Sequence, residues 1–78
     1  MVNKDEVLNV VAKVLKVKPQ ELIEDKTLYE SVGVDSTEMV ELVIALSKHF
    51  KVNIDTKEIT KFSTPQKIVE VINSKKNE

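Results

Sequence analysis

Residues 33–50 of the chain read GVDSTEMVELVIALSKHF, a turn signal followed by a helix start and a helix. Gly33 is the only glycine among the 78 residues, which suggests a turn that needs a positive φ. Asp35 is a good N-cap residue, and Glu38 three positions later completes a capping box. We therefore predict a helix from Ser36 to Phe50. Apolar residues at helical spacing form the face expected to pack on the core: Met39, Leu42, Val43, Leu46 and Phe50.

We use the same helix-start pattern to place three other helices. The residue pairs are Asn3 with Glu6, Asp55 with Glu58, and Ser63 with Gln66, where Thr64 before Pro65 is an equally good cap. The predicted helices span approximately residues 4–15, 36–50, 56–61 and 65–73. The predicted fold is all-α. It is an irregular four-helix bundle in a single domain, residues 1–78, with a long loop between the first two helices and a short third helix.

The long loop covers residues 17–34, and Pro19 prevents the first helix from continuing through it. Its apolar residues are spaced to hold it against the core. Loops of this length without regular structure are uncommon and often functional. The residues expected to make these core contacts are Leu22, Ile23, Leu28 and Val32.

Composition excludes several kinds of site. The chain has no cysteine and one histidine, so disulfides, thiolate metal sites and cysteine nucleophiles are excluded. All twelve basic residues are lysines and only three residues are aromatic, so we do not expect nucleic acid binding. His49 is expected to be solvated or to interact with the helix dipole. We predict no catalytic residue, no metal ligand, no membrane insertion, and a cytoplasmic monomer.

Charge is unevenly distributed along the chain. Residues 1–19 carry a net charge of +2, residues 20–41 carry −6, and residues 42–78 carry +3. The middle segment is therefore an acidic patch on a nearly neutral protein. Such a patch favours the approach of a partner protein with a basic surface.

An apolar row extends from this acidic patch along the second predicted helix. Ser36, Val40 and Ile44 are spaced four residues apart, and the row lies outside the core face. Glu38 and Glu41 border it. An exposed apolar strip with an acidic rim is typical of a protein-docking surface. The alternative, left open by the sequence, is that the long loop covers Val40 and Ile44.

The segments GVDST at 33–37 and VEL at 40–42 resemble the signature of acyl carrier proteins, Gly-x-Asp-Ser-Leu followed by a helix containing Val-Glu-Leu. The similarity continues in register over nearly the whole chain. It implies a 4'-phosphopantetheine arm, donated by coenzyme A and attached to Ser36 by a phosphopantetheinyl transferase. The arm would present acyl thioesters to fatty acid, polyketide or related biosynthetic enzymes. The alternative is a helical protein-interaction domain with a degenerate carrier fold and no prosthetic group.

The resemblance also implies roles for other residues. The acidic positions match those that contact basic patches on the transferase and on client enzymes. Thr37 replaces the leucine of the family, and Lys48 stands where the family has an acidic cluster, which favours a specialised carrier over the housekeeping carrier of fatty acid synthesis. The expected partner-binding residues are Asp35, Thr37, Glu38, Val40, Glu41, Ile44 and Lys48. The expected acyl-pocket residues are Leu46, Ile54, Ile59 and Phe62.

Overall fold

The computed structural model describes residues 2–76 and has four α-helices in this range. Helix α1 spans Lys4–Leu15, α2 spans Leu28–Val32, α3 spans Ser36–Phe50 and α4 spans Pro65–Lys76, with a 3₁₀ turn at Pro19–Glu21. Residues 2–76 contain no strand, so the predicted all-α class is confirmed. The molecule measures 31 × 22 × 18 Å along its principal axes.

The bounds of α1 and α3 agree with the prediction because Asn3 and Asp35 are their N-caps. The predicted box of Asn3 with Glu6 is not formed, since Glu6 Oε2 contacts His49 Nε2 instead. Asn3 is the N-cap of α1, and its Oδ1 accepts the amide N–H of Asp5 at an N···O distance of 2.7 Å. At their carboxyl ends α1 and α3 stop at Lys16 and Lys51, which have φ values of 59° and 56°. Glycine is the usual residue in this left-handed conformation, so lysine is strained at both helix ends.

The short helix α2 lies inside the segment that was predicted to be a loop. Thr27 caps it: Thr27 Oγ1 accepts the amide N–H of Glu30 at 3.1 Å, and the Glu30 carboxylate accepts the amide N–H of Thr27 at 3.3 Å. Gly33 ends the helix with a φ of 64°, which confirms the positive φ expected for this glycine. The sequence signal for α2, a Thr-x-x-Glu capping box, is the same pattern that predicted the other helices.

The short third helix predicted at residues 56–61 is replaced by two successive turns. Asp55 begins the first turn as a cap, with its Oδ1 accepting the amide N–H of Lys57 at 2.8 Å. Thr60 then begins a second turn, because its carbonyl accepts the amide N–H of Ser63 at 2.9 Å and its hydroxyl accepts that of Phe62 at 3.2 Å. These side-chain bonds give the backbone an alternative to continuing a helix.

The core is a single apolar cluster to which every segment contributes. Ile23 is an exception to the predicted loop contacts, because it is 45% exposed, whereas Leu22 and Leu28 are buried. Val32 packs partly buried against the cluster. The buried residues are Val7, Val11, Ala12, Leu15, Leu22, Leu28, Val34, Met39, Leu42, Val43, Leu46, Phe50, Ile54, Ile59, Ile68 and Ile72.

Helix α2 is joined by backbone hydrogen bonds to the turn that precedes α4. The amide N–H of Leu28 donates to the carbonyl of Ser63 at 3.0 Å, and that of Tyr29 donates to the carbonyl of Lys61 at 2.9 Å. Amides in the first turn of a helix have no partner within the helix. The turn at residues 60–63 therefore supplies acceptors for the first amides of α2, and these bonds hold α2 and the turn together.

Opposite ends of the chain meet at the carboxyl end of α3. The amide N–H of Val2 donates to Asn73 Oδ1 at 2.8 Å, and Lys76 Nζ donates to the carbonyl of Phe50 at 3.1 Å. Ser36, at the amino end of the same helix, lies at the other end of the bundle. Among residues 2–76, no helix is both long enough and apolar enough to span a bilayer.

Candidate functional site

Ser36 is the first residue of α3 and is exposed to solvent. The capping box predicted around it is formed: the amide N–H of Glu38 donates to Asp35 Oδ1 at 2.8 Å, and the amide N–H of Asp35 donates to Glu38 Oε1 at 3.1 Å. These reciprocal bonds satisfy two backbone amides that a helix start would otherwise leave unpaired. They hold the backbone on both sides of Ser36, which fixes the position from which its side chain extends.

In the part of the chain that is described, the Ser36 hydroxyl is not paired with a basic side chain. Within residues 2–76, no hydrogen bond joins its hydroxyl to a histidine or a lysine. His49 lies thirteen residues further along α3, about 20 Å away at 1.5 Å per residue. Its Nε2 is 2.9 Å from Glu6 Oε2, which places it in an exposed contact between α3 and α1. The one histidine of the chain is therefore too far from Ser36 to act as its base.

A groove begins at Ser36 and passes between α3 and the segment at residues 56–62. Its volume is about 340 Å³. Ser36 and Val40 line it on the α3 side, and Ile59, Lys61 and Phe62 line it on the other. A larger open depression of about 630 Å³ lies between α1 and α3, beside the Glu6–His49 contact, but Ser36 is not part of it. The smaller groove is the one that an attached group could enter.

Two exposed aromatic rings and a lysine form a cluster at this groove. The ring centroids of Tyr29 and Phe62 are 5.9 Å apart, and Phe62 is 65% exposed. Lys61 Nζ lies 5.3 Å from the centroid of Tyr29 and 5.5 Å from that of Phe62. The sequence gives no signal for Tyr29 and Lys61 at the site, since only the tertiary contact between α2 and the turn brings them together.

Six of the seven predicted partner-binding residues are exposed to solvent. Val40 and Ile44 are 46% and 50% exposed, so the alternative in which the long loop covers them is wrong. Asp35, Thr37, Glu41 and Lys48 are also exposed, and Glu38 is half-buried. No ion pair joins Lys48 to Glu41 in the part of the chain that is described.

The four predicted acyl-pocket residues separate into two pairs. Ile59 and Phe62 line the groove that begins at Ser36. Leu46 and Ile54 lie in the core, 0% and 6% exposed, and do not line that groove. The structure therefore brings only half of the predicted set to the site.

The groove fits the phosphopantetheine that the resemblance implies. Its entrance holds an exposed hydroxyl, its walls include the apolar side chains of Val40, Ile59 and Phe62, and Lys61 adds a cation suited to a phosphate. Among residues 2–76, no cluster of histidine, aspartate or glutamate side chains could hold a metal ion. The hydroxyl of Ser36 and the apolar walls of the groove suit a covalently attached arm.

Comparison with known proteins identifies a family. The family model for the phosphopantetheine attachment site matches residues 5–72. The chain is 36% identical over 72 residues to the acyl carrier protein of Wolinella succinogenes, covering 92% of this chain and 95% of that protein. It is 34% identical over 77 residues to the acyl carrier protein of Thermosynechococcus vestitus, covering 94% and 95%. That of Buchnera aphidicola is 27% identical over 66 residues, covering 85% and 84%.

Proposed function

The chain belongs to the acyl carrier protein family, and we propose that Ser36 is the residue that bears its phosphopantetheine arm. As a member of this family the protein is a carrier with covalently attached 4'-phosphopantetheine, and partner enzymes act on it while it performs no catalysis itself. Nothing in the comparisons favours the alternative of an interaction domain without a prosthetic group. The observation that supports Ser36 most directly is its exposed position between the two capping residues of α3.

The chemistry assigns this chain a passive part in its own modification. The hydroxyl oxygen of Ser36 would attack a phosphorus of coenzyme A, its proton would pass to a base of the transferase, and the nucleotide half of coenzyme A would leave. Asp35 and Glu38 hold the first turn of α3, so that Ser36 enters the transferase without local refolding. When attached, the arm supplies the thiol that forms thioesters, which this cysteine-free chain lacks.

Intact mass after modification tests this proposal. The protein is incubated with coenzyme A and a broad-specificity phosphopantetheinyl transferase, and the modified peptide is then mapped. We expect the wild type to gain one phosphopantetheinyl group and Ser36→Ala to gain none. Ser47→Ala is the matched control on the same helix and should be modified as the wild type is. Modification of the Ser36→Ala variant, or an arm mapped to Ser31 or Ser63, would show that Ser36 is not the site.

We further propose that the exposed face of α3 is where the partner enzymes dock. The family implies interaction with a phosphopantetheinyl transferase and with biosynthetic enzymes. Asp35, Glu38 and Glu41 offer acidic contacts to a basic patch, and the exposed side chains of Val40 and Ile44 offer an apolar strip. Charge complementarity of this kind governs encounter rate and partner choice more than it governs affinity.

Lys48 and Thr37 support the proposal of a specialised carrier. Both are exposed on the docking face, and Lys48 brings a positive charge to a surface that is otherwise acidic. A lysine here would be repelled by an arginine or lysine of a client built for acidic carriers. The proposed clients are therefore enzymes whose patch tolerates or pairs with Lys48.

Ile59 and Phe62 are the proposed contacts of the acyl cargo, because they line the groove that begins at Ser36. Leu46 and Ile54 would meet cargo only if the core opened, since both are buried. We also propose that residues 1–78 form one carrier domain, which the single apolar cluster supports. A cytoplasmic location and a monomeric state stay predictions from the sequence.

A further inference from the structure

Lys61 forms no ion pair with an acidic side chain in the described part of the chain. Within residues 2–76, ion pairs join Lys4 to Glu24, His49 to Glu6, and Lys75 to Glu58, and none involves Lys61. Its ammonium group lies over two aromatic rings and its side chain lines the groove that begins at Ser36. Contact with two ring faces restricts the ammonium group and removes part of its hydration.

Attachment of the arm would place a phosphodiester, with one negative charge, on Ser36. The Asp35 and Glu38 carboxylates hold the cap on either side of this residue. Like charges placed so close repel one another. The amino end of α3 offsets part of this repulsion through its dipole. Lys61, on the opposite wall of the same groove, is the cationic side chain that lines it.

We propose that Lys61 binds the phosphodiester of the attached arm and directs the arm along the groove. The inference rests on the proposed attachment to Ser36, and it adds an anion-binding residue that lies outside the docking face of α3. Tyr29 and Phe62 act as its support: they hold the ammonium group at the groove before an arm is present, so less side-chain freedom is lost on binding.

A thermodynamic cycle over the apo and holo proteins tests the contact. Equilibrium unfolding is measured for both forms of the wild type, Lys61→Gln and Lys61→Arg, at low and raised salt. The control is Lys57→Gln, an exposed lysine on the same segment that does not line the groove. For each variant, the effect of the arm is the ratio of the folding equilibrium constants of the holo and apo forms. At low salt we expect this ratio to be on the order of two- to fivefold larger for the wild type than for Lys61→Gln, the range of an exposed ion pair.

The stability gained with the arm should be the same in the control Lys57→Gln and in Lys61→Arg as in the wild type. Raised salt should reduce this gain. The ³¹P resonance of the arm should also move in Lys61→Gln and not in Lys57→Gln. The proposal is overturned if the stability gained with the arm and the ³¹P resonance are the same in the wild type and in Lys61→Gln. This holds even if Lys61→Gln folds less well, because the cycle compares the apo and holo forms of each variant.

Anionic cargo is the other source of negative charge, and the loaded forms distinguish it. If Lys61 binds the phosphodiester, the effect is present in the holo protein without cargo and is equal for an acetyl and a malonyl thioester. An effect that appears only with the malonyl group would assign Lys61 to the cargo carboxylate and refute the phosphodiester contact. Failure of the transferase to modify Ser36, seen by mass, would instead refute the proposed attachment site, and the Lys61 contact with it.

Discussion

Replacing Asp35 with alanine or with asparagine should separate the two things that this residue does beside Ser36. Its Oδ1 accepts the amide N–H of Glu38 at 2.8 Å, and its carboxylate lies on the exposed acidic face. Alanine removes both the acceptor and the charge. Asparagine keeps an oxygen that can accept the same amide and removes only the charge.

The expected magnitudes follow from the cap. Loss of an N-cap side chain costs about 0.5–2 kcal/mol, and a negative charge at a helix start contributes about 0.3–1 kcal/mol at low salt. We therefore expect Asp35→Ala to lower the free energy of unfolding by about 1–2 kcal/mol, and Asp35→Asn to lower it by less than about 1 kcal/mol. At roughly 4–8 °C per kcal/mol for a domain of this size, the alanine variant should melt several degrees below the asparagine variant.

Thermal unfolding at two salt concentrations and modification kinetics together provide the assay. Raised salt should bring Asp35→Asn close to the wild type, because it screens the charge of Asp35 and leaves the neutral hydrogen bond that asparagine can make. Asp35→Ala should stay less stable, because it lacks that hydrogen bond. Both variants should be modified more slowly by the transferase than the wild type is. Equal loss of stability in the two variants at raised salt would refute the capping argument, and unchanged modification of Asp35→Asn would refute the role of the charge.

Two further predictions concern charges elsewhere on the molecule. The hydrogen bond from Lys75 lowers the pKa of Glu58 below its ordinary value of 4.5. The stability that this pair contributes is therefore complete above pH 4.5 and is lost as the pH falls through the lowered pKa. Glu58→Gln should remove this part of the acid dependence, which urea unfolding at a series of pH values measures. Lys48→Glu, alone and with Thr37→Leu, should increase the rates of malonyl loading and condensation by housekeeping fatty acid enzymes, and raised salt should weaken this increase. If the wild-type rates already equal those of an ordinary carrier, the proposal of a specialised role loses its support.

Local signals were enough to predict α1 and α3 with their bounds, and α4 except for its last three residues, which extend it to Lys76. The Asp35–Glu38 box and the apolar spacing that follows it predict α3 with its observed bounds, and Gly33 has the expected positive φ. These features depend on residues within one turn of each other, so the sequence records them directly. The Val40 side chain is exposed as its place on the helix indicated, which identifies the proposed docking face from the same local pattern.

Tertiary contacts decided the parts that the sequence could not. Helix α2 is only five residues long, and its first amides are satisfied by carbonyls of a turn more than thirty residues away in the chain. Thr60 ends the turn after Asp55 by bonding locally, although the Asp55–Glu58 pattern indicated a helix. Leu46 and Ile54 were assigned to the acyl pocket by resemblance, yet which apolar side chains face a groove depends on how these turns pack.

The backbone bonds between α2 and the turn at residues 60–63 have a consequence for motion. If the groove widens by displacement of that turn, the amides of Leu28 and Tyr29 lose their acceptors at Ser63 and Lys61. Groove opening and release of the segment that leads to Ser36 are then one cooperative fluctuation, whose free energy sets the rate at which these two amide protons exchange with solvent. The exchange rates of these two amides therefore report the free energy of groove opening, and no attached label is needed.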